Sequence, residues 1–284
     1  MKNWKEIIQH QTFRYMDHTS IESFQGRPFT AMTSFAIDDA LATSVSDDLS
    51  PPIMRLWVHP KTIVLGIPDA RLPFIEAGVE QLRNLGYQII VRNSGGLAVP
   101  LDEGVLNVSL ILPDVEHVSI HDGYEAMVRF IQHMFRDLTN EIKAFEIVGS
   151  YCPGDYDLSI DGKKFAGISQ RRVKNGASVQ IYLDVEGNSF NRASHIRKFY
   201  DVSKKNESTK FNYPTVQPEL MGSLSDLLGV PLTVDGVKQR MFHALEDFTS
   251  RIIERDFSAD ELTFFEKRLE QMKKRNEKIA AWNK

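Results

Sequence analysis

Three short segments of this chain bring together residue types that can form and break a covalent bond. The first is Gly149-Ser150-Tyr151-Cys152-Pro153-Gly154-Asp155, which carries the one cysteine in 284 residues. A free cysteine is ordinarily a small buried hydrophobe. Here the Pro-Gly-Asp that follows places it on a turn, where a thiol is more available for reaction. In the second segment, Asp161-Gly162 reads as a hairpin turn that starts a strand. Alternation then predicts Lys164, Ala166 and Ile168 on one face and Phe165, Gly167 and Ser169 on the other. A lysine on a face of small and apolar residues is either a partly buried charge that favours a nearby thiolate or a surface lysine whose stem snorkels. The third segment is Arg92-Asn93-Ser94-Gly95-Gly96-Leu97-Ala98-Val99, followed by Asp102 and Asn107. Adjacent glycines between strands let a backbone approach a ligand and turn N–H groups toward it. A bulged strand connection has the same composition.

Other chemistries lack their residues. There is no G-x-G-x-x-G, no P-loop and no G-x-S-x-G. Gly162-Lys163-Lys164 lacks both the upstream glycine and the closing Ser/Thr of a phosphate loop. His117 and His121 have i,i+4 spacing but no Glu after the first, so they read as surface histidines and no metal is expected. Lys and Arg number 34 against 38 Asp and Glu, for a net charge of -4, which argues against a nucleic-acid partner. At 42% hydrophobic and 25% charged the composition is that of a globular protein. One cysteine allows no internal disulfide, as in a reducing compartment. No apolar run approaches the ~20 residues of a membrane span, and the N-terminus has no sustained apolar core. The expectation is a soluble cytoplasmic protein with no membrane partner.

The elements that must hold these segments follow from periodicity. Residues 1–30 read as polar and irregular, with a short helix at 4–9. Helices are expected at 34–46, 72–85 (closed by Gly86) and 124–138. Strands are expected at 53–58 and 62–67, joined as a hairpin at His59-Pro60-Lys61, and at 88–91, 98–101 and 106–112. A β-meander follows at 145–148, 156–160, 164–172 and 178–184. The chain then turns helical at 195–200, 219–228, 234–254 and 258–282, with a Ser258/Glu261 capping box opening the last helix. This order predicts an α+β fold of mixed and antiparallel sheets flanked by helices, with a helical C-terminal region. A single catalytic domain over 1–284 is expected, with its core at about 30–250 and the helices at 234–282 packed on it or extending it.

Together the three segments resemble the lipoate/biotin protein ligase and acyltransferase family. Its Arg-x-Ser-Gly-Gly-Gly-Ala-Val motif is matched at residues 92–99. Its Lys-x-Ala/Ser-Gly-x-x-Gln/Arg strand is matched at Lys164-Phe165-Ala166-Gly167-Ile168-Ser169-Gln170-Arg171. The helix at 34–41 and the strand at 62–66 fall in the family's order, and the resemblance covers about residues 30–250. Leu97 replaces the third glycine, and Pro100-Leu101 stands where the ligases carry His before Asp; both departures point away from adenylate formation. Residues 150–158 instead resemble the cysteine-dependent octanoyltransferase branch.

That branch implies transfer of an octanoyl or lipoyl group from a lysine of octanoylated glycine cleavage H protein to a lysine of the lipoyl domains of 2-oxoacid dehydrogenase E2 subunits. It implies Cys152 as nucleophile and Lys164 as the group that favours its thiolate. Arg92, Ser94, Gly95, Gly96, Ala98, Ala166 and Gly167 are the implied substrate-binding residues, with an apolar tunnel near Ala98 and Ala166. No cofactor and no ATP are implied, because exchanging one amide for another is close to thermoneutral. The nearest rivals are octanoyl transfer from acyl carrier protein through the same residues, an ATP-dependent lipoate ligase with an incidental Cys152, and a non-catalytic lipoyl-domain binder.

Overall fold

The computed structural model describes residues 3–113 and 115–281. The chain runs through α1 (Trp4–Ile8), β1 (His10–His18), β2 (Ser23–Phe24), β3 (Arg27–Pro28), α2 (Ala31–Ser46), β4 (Ile53–Trp57) and β5 (Thr62–Leu65). It continues through α3 (Ile75–Asn84), β6 (Gln88–Val91), β7 (Val99–Leu101), β8 (Val105–Leu112), α4 (Ile120–Met134), β9 (Lys143–Ala144) and β10 (Leu158–Ile160). The remainder is β11 (Lys163–Val173), β12 (Gly176–Asp184), α5 (Ser189–Lys204), α6 (Leu224–Leu228), α7 (Val234–Glu246), β13 (Thr249–Ile253) and α8 (Ala259–Ala281).

Among the described residues an eight-stranded sheet has the order β13-β1-β4-β8-β12-β11-β10-β9, and a three-stranded sheet the order β6-β5-β7. In the large sheet β1 is parallel to β13 and β4, and the other neighbours are antiparallel. The α+β expectation with mixed sheets holds.

Alternation along the central strands divides two cores. Leu106, Val108, Leu110 and Leu112 of β8, with Val179, Ile181 and Leu183 of β12, pack against α4 and α7. The opposite face is covered by α2, α8 and the small sheet. Its centre carries buried polar groups: Arg55, Asn107, Ser109 and Gln180. Buried polar groups must be paired, and Asp38 of α2 does this for three of them. It accepts from Arg55 Nε (2.8 Å), Ser109 Oγ (2.5 Å) and Gln180 Nε2 (2.6 Å).

Four sequence expectations are corrected. Residues 10–18 form a strand rather than an irregular stretch. Arg14 reads as polar in sequence, but it lies fully buried against Glu261 at 2.7 Å. Residues 53–65 are two strands that do not form a hairpin. β1 and β8 occupy both edges of β4, so the chain crosses at His59 into the other sheet. Phe145 and Val148 are exposed, and the strand expected over 145–148 is replaced by the short β9, Lys143–Ala144, which pairs with β10. The helix expected over 234–254 ends at Glu246; the β-branched Thr249, Ile252 and Ile253 then join β1.

The capping box of α8 is present, with reciprocal bonds of 2.9 and 3.2 Å between Ser258 and Glu261. Phe265, Leu269, Met272 and Ile279 bury the inner face of α8 in the core shared with α2. Position 282, the expected end of this helix, lies outside the described residues.

Candidate active site

Cys152 adopts φ +46°, a left-handed conformation that is uncommon for a residue with a side chain and costs energy unless its surroundings impose it. Lys164 of β11 supplies that constraint. Its ammonium donates to the carbonyl oxygens of Tyr151 (2.9 Å) and Cys152 (2.8 Å) and pairs with Asp157 Oδ1 at 2.8 Å. The Lys164 and Asp157 side chains are 0% and 2% exposed. Asp157 Oδ2 also accepts from the Ile147 N–H at 3.2 Å, closing the loop from its other end. Burial pushes the Asp157 carboxyl up, opposed by the Lys164 charge.

Lys164 reaches this position through a β-bulge. Ser159 pairs with Lys164 and Leu158 with Ala166, leaving Phe165 unmatched. The alternation expected along the strand is therefore shifted. Lys164 shares its side with Gly167, where a Cβ would lie 3.5 Å from Lys164 Cε. Phe165 and Ala166 both join the core on the other face.

The thiol itself is held by the glycine segment. Leu97 N–H donates to Cys152 Sγ at 3.1 Å and Arg92 Nη2 at 3.4 Å, and the same Nη2 donates to Leu97 O at 2.8 Å. The groups that touch sulfur are thus Arg92 and a main-chain N–H, while the Lys164 charge is spent on carbonyl oxygens and Asp157.

Close approach requires glycine at two places. A Cβ on Gly66 would lie 1.9 Å from Gly96 O. Gly96 has φ +98°, and a Cβ there would lie 2.2 Å from Arg92 Nη2 and 2.9 Å from Cys152 Sγ. Gly96→Ala is accordingly expected to cost about 1–2 kcal/mol in backbone strain alone and to push Arg92 off the sulfur. Denaturant unfolding and the iodoacetamide rate of Cys152 read the two effects.

A second brace was not foreseen from sequence. Asp69, fully buried, accepts from the Gly66 N–H (2.7 Å) and from Tyr200 Oη (2.9 Å), while Tyr200 Oη accepts from the Ala98 N–H (3.2 Å). Burial pushes the Asp69 carboxyl up to about 7. A carboxyl raised on folding adds stability that is full below its unfolded value and is lost as pH rises through about 7. Asp69→Asn removes this titration. The wild-type minus variant unfolding free energy should fall by about 4 kcal/mol between about pH 4 and pH 8. A pH series of denaturant melts on both proteins measures it, and a flat difference would contradict the assignment.

These segments border a cavity of about 290 Å³. Cys152, Arg92, Gly95, Gly96 and Gly167 line it, with Tyr124, Tyr156 and His121 toward solvent and Phe35, Trp57, Val64, Val99 and Leu101 at the buried end. Apolar walls with a few convergent polar groups are typical of small-molecule sites. Of the expected substrate-binding residues, Ser94, Ala98 and Ala166 are not in the lining; they are buried beside or behind it. The apolar end lies at Phe35 and Trp57, whose rings meet edge to face at 5.7 Å, and the strand neighbours of Ala98 and Ala166, namely Val99, Gly167 and Ile168, line the same cavity. Asp157, Asp69, Tyr200, Trp57 and Phe35 were not singled out from sequence. For Asp157 a signal was available, since it follows the cysteine loop directly. Among the described residues no group of three His, Cys, Asp or Glu side chains converges as a metal site.

The fold and this site define a class. Residues 30–246 match the lipoyl protein ligase A/B catalytic domain, and the chain belongs to that family. Lipoate-protein ligase A bound with ATP shares the fold, at TM-score 0.66 and 15% identity over 92% of this chain and 94% of that one.

Two curated relatives cover nearly the whole chain. The octanoyl-[GcvH]:protein N-octanoyltransferase of Oceanobacillus iheyensis is 66% identical over 98% of this chain and 99% of its own length. The lipoyl-[GcvH]:protein N-lipoyltransferase of Listeria monocytogenes is 45% identical over 96% and 97%.

Proposed function

We propose that this protein is an acyltransferase that moves an octanoyl group from the lysine of glycine cleavage H protein to the lysine of 2-oxoacid dehydrogenase lipoyl domains, through a thioester on Cys152. The observation that carries the reading is the pair of donors on Cys152 Sγ, the Leu97 N–H and Arg92, at the wall of an apolar-ended cavity. The names of both full-length relatives support the donor, and that of the 66% identical one supports the octanoyl group. Position 97, where the ligase motif has its third glycine, serves the thiol here.

The steps balance without a nucleotide. The Cys152 thiolate attacks the carbonyl carbon of the donor amide, and charge gathers on the carbonyl oxygen. Main-chain N–H groups at Gly95 and Gly96 beside the sulfur are the proposed oxyanion donors. The carbon–nitrogen bond breaks, the donor lysine leaves as an amine after taking up a proton, and a thioester remains. The neutral amine of the acceptor lysine then attacks that thioester, the thiolate leaves, and the amine loses its extra proton. Lys164 acts in this scheme as a positioning residue: it fixes the Tyr151 and Cys152 carbonyls and hence the strained turn that presents sulfur.

In this proposal residues 1–284 work as one catalytic domain in the cytoplasm, with α7 and α8 as part of it. Its test is a two-carrier reaction: purified enzyme, octanoylated H protein and an apo lipoyl domain, without ATP. The lipoyl domain should gain one octanoyl group. Acylation only when ATP and free octanoate are supplied would identify a ligase, and acylation only from octanoyl acyl carrier protein would change the donor.

A further inference from the structure

β6 is the outer strand of the small sheet, with β5 on one edge only. At its last residue, Val91, the main-chain groups of the other edge turn toward α8. An unpaired buried N–H or C=O costs about 1–3 kcal/mol, and Asn276 of α8 satisfies both. Its Oδ1 accepts from the Val91 N–H at 2.7 Å, and its Nδ2 donates to Val91 O at 3.0 Å and to Met272 O at 2.9 Å. Asn276 is 6% exposed, and asparagine is a poor choice for a helix interior. The bond pair to Val91 gives it a reason to be there.

Val91 is followed by Arg92. The Arg92 N–H bonds Leu65 O at 2.9 Å on the β5 side, so the two residues are pinned from opposite edges of the strand. Just beyond this clamp the guanidinium turns to Leu97 O and Cys152 Sγ. The family match ends at residue 246, before α8 begins.

We propose that Asn276 is a positioning residue for the Cys152 thiol: from a helix outside the matched catalytic domain, it clamps Val91 and so fixes where the Arg92 guanidinium points. The proposal rests on Cys152 being the nucleophile of the reaction above, and alkylation tests the clamp without any carrier protein.

Asn276→Ala should slow iodoacetamide alkylation of Cys152 about five-fold at neutral pH, through loss of the charge-assisted bond to sulfur. It should displace the alkylation pH profile toward alkaline pH while keeping the alkaline plateau rate. Arg92→Ala should do at least as much. The double variant should match Arg92→Ala alone, because the two residues act in series.

Met272→Ala is the structural control. It removes packing from the same helix face, so it should lower stability and leave the profile in place. Asn276→Asp keeps the acceptor for the Val91 N–H and loses the donor. It should give an intermediate displacement, and it decides the question if the alanine variant does not fold. Unchanged profiles in the Asn276 variants, or an equal displacement in Met272→Ala, would overturn the proposal. Retained transfer by Cys152→Ala would instead overturn the functional reading and leave the alkylation result standing.

Discussion

Cys152→Ala will fold normally and transfer octanoyl between carriers at least about 10³-fold more slowly than the wild type, in line with the loss of other covalent nucleophiles. Cys152 is half-buried at the edge of the core, so alanine gives up little packing. Its partners Leu97 N–H and Arg92 lie at the cavity wall, where water can take the place of sulfur. The loss should therefore fall on kcat, with carrier binding kept. Cys152→Ser should turn over almost as poorly, because a hydroxyl yields its proton far less readily than a thiol. Single-turnover assays with octanoylated H protein, beside thermal melts of the same samples, separate chemistry from folding. Transfer by the alanine variant within about ten-fold of wild type would remove covalent catalysis from the account.

The second large effect lies under the loop. Lys164 and Asp157 form a fully buried ion pair whose remaining capacity goes to main-chain groups and the Ser150 hydroxyl. Removing one partner leaves the other charge buried and unpaired, which costs about 3–5 kcal/mol. Lys164→Met and Asp157→Asn should each lose that much unfolding free energy. Lys164→Met combined with Asp157→Asn should recover a large part of it, because neither group is then charged. Each single variant should also slow transfer by about 10²-fold, since the Cys152 turn loses its clamp and sulfur moves off its donors. Urea titrations of the three variants close the cycle. Losses below about 1 kcal/mol would place the pair among exposed, weakly coupled ions.

The sequence disclosed the chemistry better than the geometry. The Arg92–Ala98 and Cys152 segments could be singled out because glycine pairs and Pro-Gly turns are local signals, and the structure brings them within 3.4 Å of each other. Helix α2 and the capping box of α8 were legible for the same reason. What was hidden depends on pairing partners distant in sequence. β1 is a strand because β4 and β13 lie beside it, and Arg14 is buried because Glu261 waits 247 positions away. The bulge at Phe165 is invisible to a period-2 reading, and it decides which side of β11 carries Lys164. The charge on that lysine was expected to act on the thiol. The structure spends it on Asp157 and two carbonyl oxygens, and gives the sulfur to Arg92 and Leu97.

The central claim is a covalent acyl group on Cys152, and intact mass spectrometry of the enzyme tests it most directly. Enzyme mixed with octanoylated H protein, without ATP or acceptor, should gain the mass of one octanoyl group in place of one proton. Hydroxylamine should remove the adduct, peptide mapping should place it on Cys152, and addition of apo lipoyl domain should discharge it. Enzyme that stays unmodified while an added lipoyl domain becomes octanoylated would contradict the account, as would an adduct on any other residue.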